Sequence, residues 1–228
     1  MKRKQLKAIV AGMVLCAGAA MGQVYTFNFT NSVTVPDATI EGLALATNLT
    51  GMSGAINNVN VTLNITGGFN GDLYAYLAGP TGGFAVLLNR VGVSNNATQF
   101  GYANSGFANV LFADSAANSI QYYQNFSPTL NLNGQLTGTW QPEGVNLDPQ
   151  SSPSSFFGAP QSALLGSFNG SNPNGVWVLF LADVAAGSQS TVVSWGLAIT
   201  TTVPEPSALA LTGAGLMAFL GCRRLRRS

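Results

Sequence analysis

Hydrophobic residues recur at every second position through most of the chain's interior. From Val59 to Thr66, the apolar Val59, Val61, Leu63 and Ile65 alternate with Asn60, Thr62, Asn64 and Thr66, the pattern of a strand with one buried face. Gly67-Gly68 predicts a turn and Leu73 to Leu77 a second strand. Beyond the breaker Gly79-Pro80-Thr81-Gly82-Gly83, the residues Phe84, Val86 and Leu88 predict one face of a third. The three read as a β-meander. Tyr25, Phe27 and Phe29 line an earlier strand, and Val193, Trp195, Leu197 and Ile199 line one face of the last. Val176 to Leu181 is apolar on both faces, as a central strand is. Between Gly92 and Ser171 only Asn109 to Phe112 and Leu130 to Trp140 resemble strands. Pro142 to Pro160 predicts a long loop, of the kind that is usually functional or mobile. No interior segment carries a 3.6-residue period, so the expected class is all-β, a sandwich.

The pattern breaks at both ends, where it becomes addressing information. Lys2, Arg3, Lys4 and Lys7 precede an apolar stretch from Ala8 to Ala20, the basic and hydrophobic regions of a secretory signal helix. Ala20 and Gly22 supply the small residues a signal peptidase requires, which predicts cleavage after Gly22 and a mature start at Gln23. Cys16 follows Leu15 rather than a small residue, which speaks against a lipoprotein.

At the other end Val203-Pro204-Glu205-Pro206 leads into an apolar run from Ser207 to Cys222, closed by Arg223, Arg224, Arg226 and Arg227. As a helix that run is roughly 24 Å long, short against a hydrocarbon core of about 30 Å. It spans by thinning the bilayer or by letting its arginines snorkel. The arginines stay cytoplasmic by the positive-inside rule, which puts the body of the chain outside. Pro204 and Pro206 hold the entry extended and present Glu205 as a stiff acidic handle at the outer face.

These three parts in this order resemble a PEP-CTERM sorting signal, the substrate tail of the membrane cysteine peptidase exosortase; an ordinary single-span anchor is the alternative. The resemblance covers Val203 to Ser228 and implies a diderm bacterium that secretes exopolysaccharide. It also implies transient membrane anchoring, cleavage near the motif, and final residence at the cell surface or outside it. The organisation expected is thus residues 1–22 as signal peptide, 23–202 as one β-domain, and 203–228 as sorting signal with a single transmembrane helix.

Composition then narrows what the body does. Residues 23–202 carry seven carboxylates, Asp37, Glu41, Asp72, Asp114, Glu143, Asp148 and Asp183, against Arg90 alone, a net charge of −6 that the whole-chain value of +1 conceals. Without lysine and with one arginine the body has no cationic stripe for phosphates, which excludes nucleic acid as a partner. The chain's two cysteines, Cys16 and Cys222, both lie in the end segments, so the mature domain has neither a disulfide nor a thiolate metal site.

Two blocks of the body resemble the P domain (P/Homo B domain) of proprotein convertases. The first is Val59 to Leu88, with Gly71-Asp72-Leu73, Gly79-Pro80 and Gly82. The second is Leu165 to Ile199, with Phe168, Gly175-Val176-Trp177, Asp183, Gly187 and Ser194-Trp195-Gly196-Leu197. That resemblance implies a jelly-roll-like β-sandwich. The family usually sits beside a subtilisin-like catalytic domain, and this chain has none.

The chain contains no histidine, which excludes Ser-His-Asp, Cys-His and histidine-based metal mechanisms, and the body lacks the lysine or cysteine that other nucleophilic schemes need. Ala113-Asp114-Ser115-Ala116 lacks the glycine of an aspartic-protease turn, so a non-enzymatic protein is expected. Calcium is the plausible ligand, since hard cations take carboxylate, amide and carbonyl oxygens. Asp72 and Asp183, placed by the P-domain resemblance at the start of one strand and the end of another, are the candidate ligands, with a structural turn role as the competing assignment. Trp177 and Trp195 are expected in the core. Trp140, Tyr122, Tyr123 and Phe126 are expected to be buried, with a sugar-stacking surface as the alternative. Two functions survive: a surface or matrix protein whose sandwich binds exopolysaccharide, cell-surface proteins or its own copies, and an accessory module of a separate subtilisin-like protease.

Overall fold

Alternation along the chain becomes two facing sheets because each strand has one apolar face to hide. The computed structural model describes residues 22–93 and 99–202. The signal segment up to Met21, the motif Val203 to Pro206, the apolar run and the four arginines lie outside the described residues. Among the described residues nine strands form, within the unit Gly22–Val203: β1 Gln23–Thr34, β2 Thr39–Leu49, β3 Ile56–Gly67, β4 Leu73–Ala78, β5 Phe84–Asn89, β6 Phe107–Phe112, β7 Thr139–Trp140, β8 Gly175–Asp183 and β9 Ser190–Thr201. One sheet has the order β1-β9-β3-β6-β7 and the other β2-β8-β4-β5. All pairings are antiparallel except the short β6–β7 contact. The all-β sandwich expected from the alternation is the architecture found.

The meander is not. β3 pairs with β9 and β6, whereas β4 pairs with β5 and β8, so the Gly67-Gly68 step is a crossover between sheets. Both glycines have positive φ, and a Cβ on Gly68 would lie 1.8 Å from Ser190 Oγ, so only glycine fits this crossing. Only β4 and β5 form a hairpin.

The inward faces carry Val59, Val61, Leu63 and Ile65 of β3 and Trp195, Leu197 and Ile199 of β9 against Leu73, Ala75 and Leu77 of β4 and Trp177, Leu179 and Leu181 of β8, all buried. Each aliphatic of this set stabilises the fold by about 1.5–3 kcal/mol relative to exposure. Such a core is sufficient without disulfides in a unit of this size. The two tryptophans are core anchors, as expected: Trp177 packs on Phe168 at 5.0 Å and donates its indole N–H to Pro173 O at 2.8 Å. β8, apolar on both faces, is central in its sheet.

One inward residue differs from the alternation. Val192 is fully buried and Val193 is not, because the ladders slip between Thr30 and Val33 and between Asn64 and Ile65. A bulge inserts one residue and reverses the faces beyond it.

The 142–160 loop is ordered against the edge of β5. Val86 N–H donates to Ala163 O, and Gly144 and Glu143 N–H donate to Val86 O and Leu87 O. Phe156, on the single-turn helix α1 Pro153–Phe156, is buried. The segment seals an edge.

Candidate functional site

Three aspartates lie at one end of the sandwich. Asp183 closes β8 two residues beyond Leu181 and on the same inward face, paired with Thr39 of β2 on one side and Leu73 of β4 on the other. Asp72 precedes Leu73 and accepts Val184 N–H on its backbone oxygen at 2.9 Å, which ties the two strand ends together. Asp37, in the turn between β1 and β2, accepts Gly187 N–H on Oδ2 at 3.4 Å. The structure thus brings Asp72 and Asp183 to the same end of the sandwich and adds Asp37, which the sequence did not single out.

Asp183 is fully buried and neither carboxylate oxygen has a hydrogen-bond partner; one oxygen of Asp37 shares that condition. Burial, then the charges of Asp72 and Asp37, push the Asp183 carboxyl up to about 7; the nearby Ala185 N–H pulls it down without completing a hydrogen bond. Burial raises Asp72 to about 6, with Arg90 pulling it back and Asp37 pushing it further. Arg90 is held by Gln99 O and Pro149 O at 3.1 and 3.4 Å. Asp72 borders a cleft of about 380 Å³ walled by Phe69, Phe100, Tyr102 and Ala186.

Among the described residues no three acidic, histidine or cysteine side chains converge as a metal centre. A cation here would take the carboxylates of Asp72 and Asp183 and complete its shell with backbone carbonyls and water. The unpartnered Asp183 carboxylate is the feature that fits such a cation.

The second feature is the outward face of the four-stranded sheet. Tyr76 of β4 and Phe180 of β8 sit opposite each other in the ladder and stack, with ring centroids 4.8 Å apart and planes 16° from parallel. Phe84 lies 5.0 Å from Tyr76, and Tyr74 lies 6.3 Å from Phe180. These rings are half-buried, Val176 is 51% exposed, and Ala44 and Ala46 of β2 continue the surface without bulk. No residue of this patch is charged.

The aromatics of the chain's middle have another fate. Tyr123 and Trp140 are buried, Tyr122 is half-buried, and Phe126 is exposed but leans on Trp140 at 6.4 Å. Tyr123 and Trp140 are core, the outcome the sequence favoured, whereas Phe126 departs from it: at the end of the 3₁₀ turn Ile120–Phe126 it is 46% exposed. Asp114 is a structural anchor: its two carboxylate oxygens accept Leu165 N–H at 3.1 Å and Gly166 N–H at 2.6 Å, at the start of a 3₁₀ turn. Glu143, which no local pattern in the sequence marks, is fully buried, and burial raises its carboxyl well above the ordinary carboxylate range. Of the expected processing residues only Gly22 and Gln23 fall within the described part, Gln23 as the first residue of β1. Among the described residues no helix is long and apolar enough to cross a membrane.

Residues 202–227 match the model of the PEP-CTERM protein-sorting motif. The chain therefore carries the tail of an exosortase-processed protein, exported across the inner membrane toward the surface of a diderm cell. No curated protein matches the chain. Solved structures that overlap it include two from Aeromonas sobria. One is the complex of Aeromonas sobria serine protease with the chaperone, at 14% identity and a TM-score of 0.41, over 80% of this chain and 27% of the other. The second is the serine protease of Aeromonas sobria, at 15% identity and a TM-score of 0.41, over 78% and 26%. This chain spans about a quarter of the length of either. Overlap at this level bears on neither activity nor partners.

Proposed function

We propose that the exported body is a non-catalytic surface or matrix module that binds neutral polysaccharide through the outward face of the four-stranded sheet. The carrying observation is the stacked, half-buried Tyr76–Phe180 pair on the outward, uncharged face of the sheet. Buried aromatic pairs need no further account, but rings turned outward on a sheet that already has a full core on its other side do. The electron-rich face of an aromatic ring attracts the polarised C–H bonds of a pyranose, and flat stacking suits a chain of such rings. The absence of charge on the face favours a neutral glycan over an ionic one, and the sorting tail delivers the module to where exopolysaccharide lies.

Binding of the secreted protein to the host's purified exopolysaccharide, measured by calorimetry, tests the proposal. Tyr76→Ala and Phe180→Ala are each expected to weaken it about tenfold, the equivalent of ~1.4 kcal/mol, while leaving the thermal midpoint within a few degrees. Undiminished binding in both variants, or no binding by the parent protein, defeats it.

A further inference from the structure

A sandwich of two open sheets has four edges, and three of these are blunted. The outer side of β5 is taken by the 142–163 segment through Val86, Leu87 and Gly144. β7 is two residues long. β2 is interrupted by a register shift between Thr39 and Leu43, where Gly42 has φ +54° and an exposed Glu41 stands beside it. Charges, bulges, brevity and covering loops are the devices that keep sheet edges from pairing.

β1 has only one of them, and at its far end. It is 12 residues long, pairs only with β9 among the described residues, and contains no Asp, Glu, Lys, Arg or Pro. From Gln23 to Thr30 its register with β9 is unbroken, and the slip comes only between Thr30 and Val33. Its odd positions Tyr25, Phe27 and Phe29 pack half-buried against the core at the open side of the sandwich, and Thr26, Asn28 and Thr30 are exposed.

We propose that β1 is a self-association edge, pairing antiparallel with β1 of a second copy of this chain to join the two five-stranded sheets. The pattern is self-complementary. Two-fold pairing centred on Asn28 sets Phe27 opposite Phe29 of the second copy and Thr26 opposite Thr30, aromatic against aromatic and hydroxyl against hydroxyl. A strand without charge has no like-charge clash with its own copy, whereas it offers no charged group to select a different protein. Pairing also covers the half-exposed flanks of Tyr25, Phe27 and Phe29. The inference does not rest on polysaccharide binding, and the two fail separately.

Sedimentation equilibrium of the full chain in mild detergent and of the 22–202 unit, whose core is internal, tests it. Both are expected to dimerise in the micromolar range. Thr26→Lys with Asn28→Lys, at exposed positions, should make the unit monomeric with an unchanged thermal midpoint, while Ala46→Lys with Asn48→Lys on β2 should leave the dimer intact. Amide exchange across residues 24–30 should slow with rising protein concentration in the parent and not in the β1 variant. A parent unit that stays monomeric, a dimer that survives the β1 lysines, or exchange in β1 that ignores concentration overturns the proposal.

Discussion

The backbone N–H of Asn89 donates to Glu143 Oε2 over 2.6 Å, and that bond joins two fully buried residues on opposite sides of a sealed sheet edge. The amide of Asn89 donates onward to Val145 O and Leu147 O at 3.1 and 3.0 Å, so this one residue pins the segment that covers β5. Glu143 Oε1 and Asn89 Oδ1 are both without partners. A neutral carboxyl carries a donor where an ionised one has only acceptors, and burial favours the neutral form.

Replacing Glu143 by Gln therefore keeps the acceptor for Asn89 N–H and adds an amide donor at no cost in charge. Glu143→Gln is expected to match or exceed the parent in urea denaturation at pH 8, whereas Glu143→Ala should lose about 1–3 kcal/mol by stranding a buried N–H. If the glutamine variant proves as damaged as the alanine one, the carboxyl is ionised in the fold and the assignment of a neutral Glu143 is wrong.

The acid-rich end makes a second prediction, of unusual sign. Asp183 and Asp72 have folded-state values near 7 and 6 against 3.8 in an unfolded chain, and Glu143 is also raised. Groups raised in the folded state bind more protons there, so stability is fully present below about pH 4 and falls as pH rises through 6 and 7. The domain should melt at a higher temperature at pH 4.5 than at pH 8, in buffer with chelator. Asp183→Asn should flatten the upper part of that curve. A conventional loss of stability on acidification would contradict the burial of these carboxyls.

Asp114 carries a third prediction. Its side chain receives two backbone N–H groups at the head of the 3₁₀ turn Leu165–Phe168, and Phe168 in turn packs on Trp177. Asp114→Ala should cost about 1–3 kcal/mol and Asp114→Asn less, because the amide keeps one acceptor. Equal stability of Asp114→Ala and the parent, by chemical denaturation, would show that the turn is held by Phe168 alone.

What the sequence revealed and what it hid divide along a physical line. Alternation reports which face of a strand is apolar, so β3, β4 and β8 and the burial of Trp177 and Trp195 were readable residue by residue. It does not report which strand lies alongside, so in sequence the passage of the chain from one sheet to the other at Gly67-Gly68 looks the same as a hairpin turn. A period of two also assumes an unbroken ladder, and the bulge that exchanges Val193 for Val192 leaves no mark in composition. Asp72 and Asp183 were found because each sits at a strand end beside a motif. Asp37, Asn89 and Glu143 were not, since a buried polar contact between residues 54 apart has no local signature. The outward rings of Tyr74, Tyr76 and Phe180 were hidden for a related reason: in an apolar strand, only the sheet's other face tells which aromatics are surplus to the core.

Calcium gives the last prediction. Asp183 has two unpartnered, buried oxygens and Asp72 stands at the adjoining strand end, so a divalent cation bound between them would convert mutual repulsion into shared coordination. A ligand that binds only the folded state raises its stability by mass action, by about 2.7 kcal/mol at a hundred times its dissociation constant. Millimolar calcium at pH 8 should therefore raise the melting temperature, more than magnesium does, because magnesium demands a tighter octahedral shell. The effect should fade toward pH 5, where protons compete for the same oxygens. Asp183→Asn and Asp72→Asn should each abolish the calcium increment, and Asp183→Asn should melt higher than the parent in chelator, since it removes a buried charge. A parent protein indifferent to calcium would leave Asp183 as a buried carboxyl that titrates without a metal, and the pH profile would then persist unchanged with calcium present.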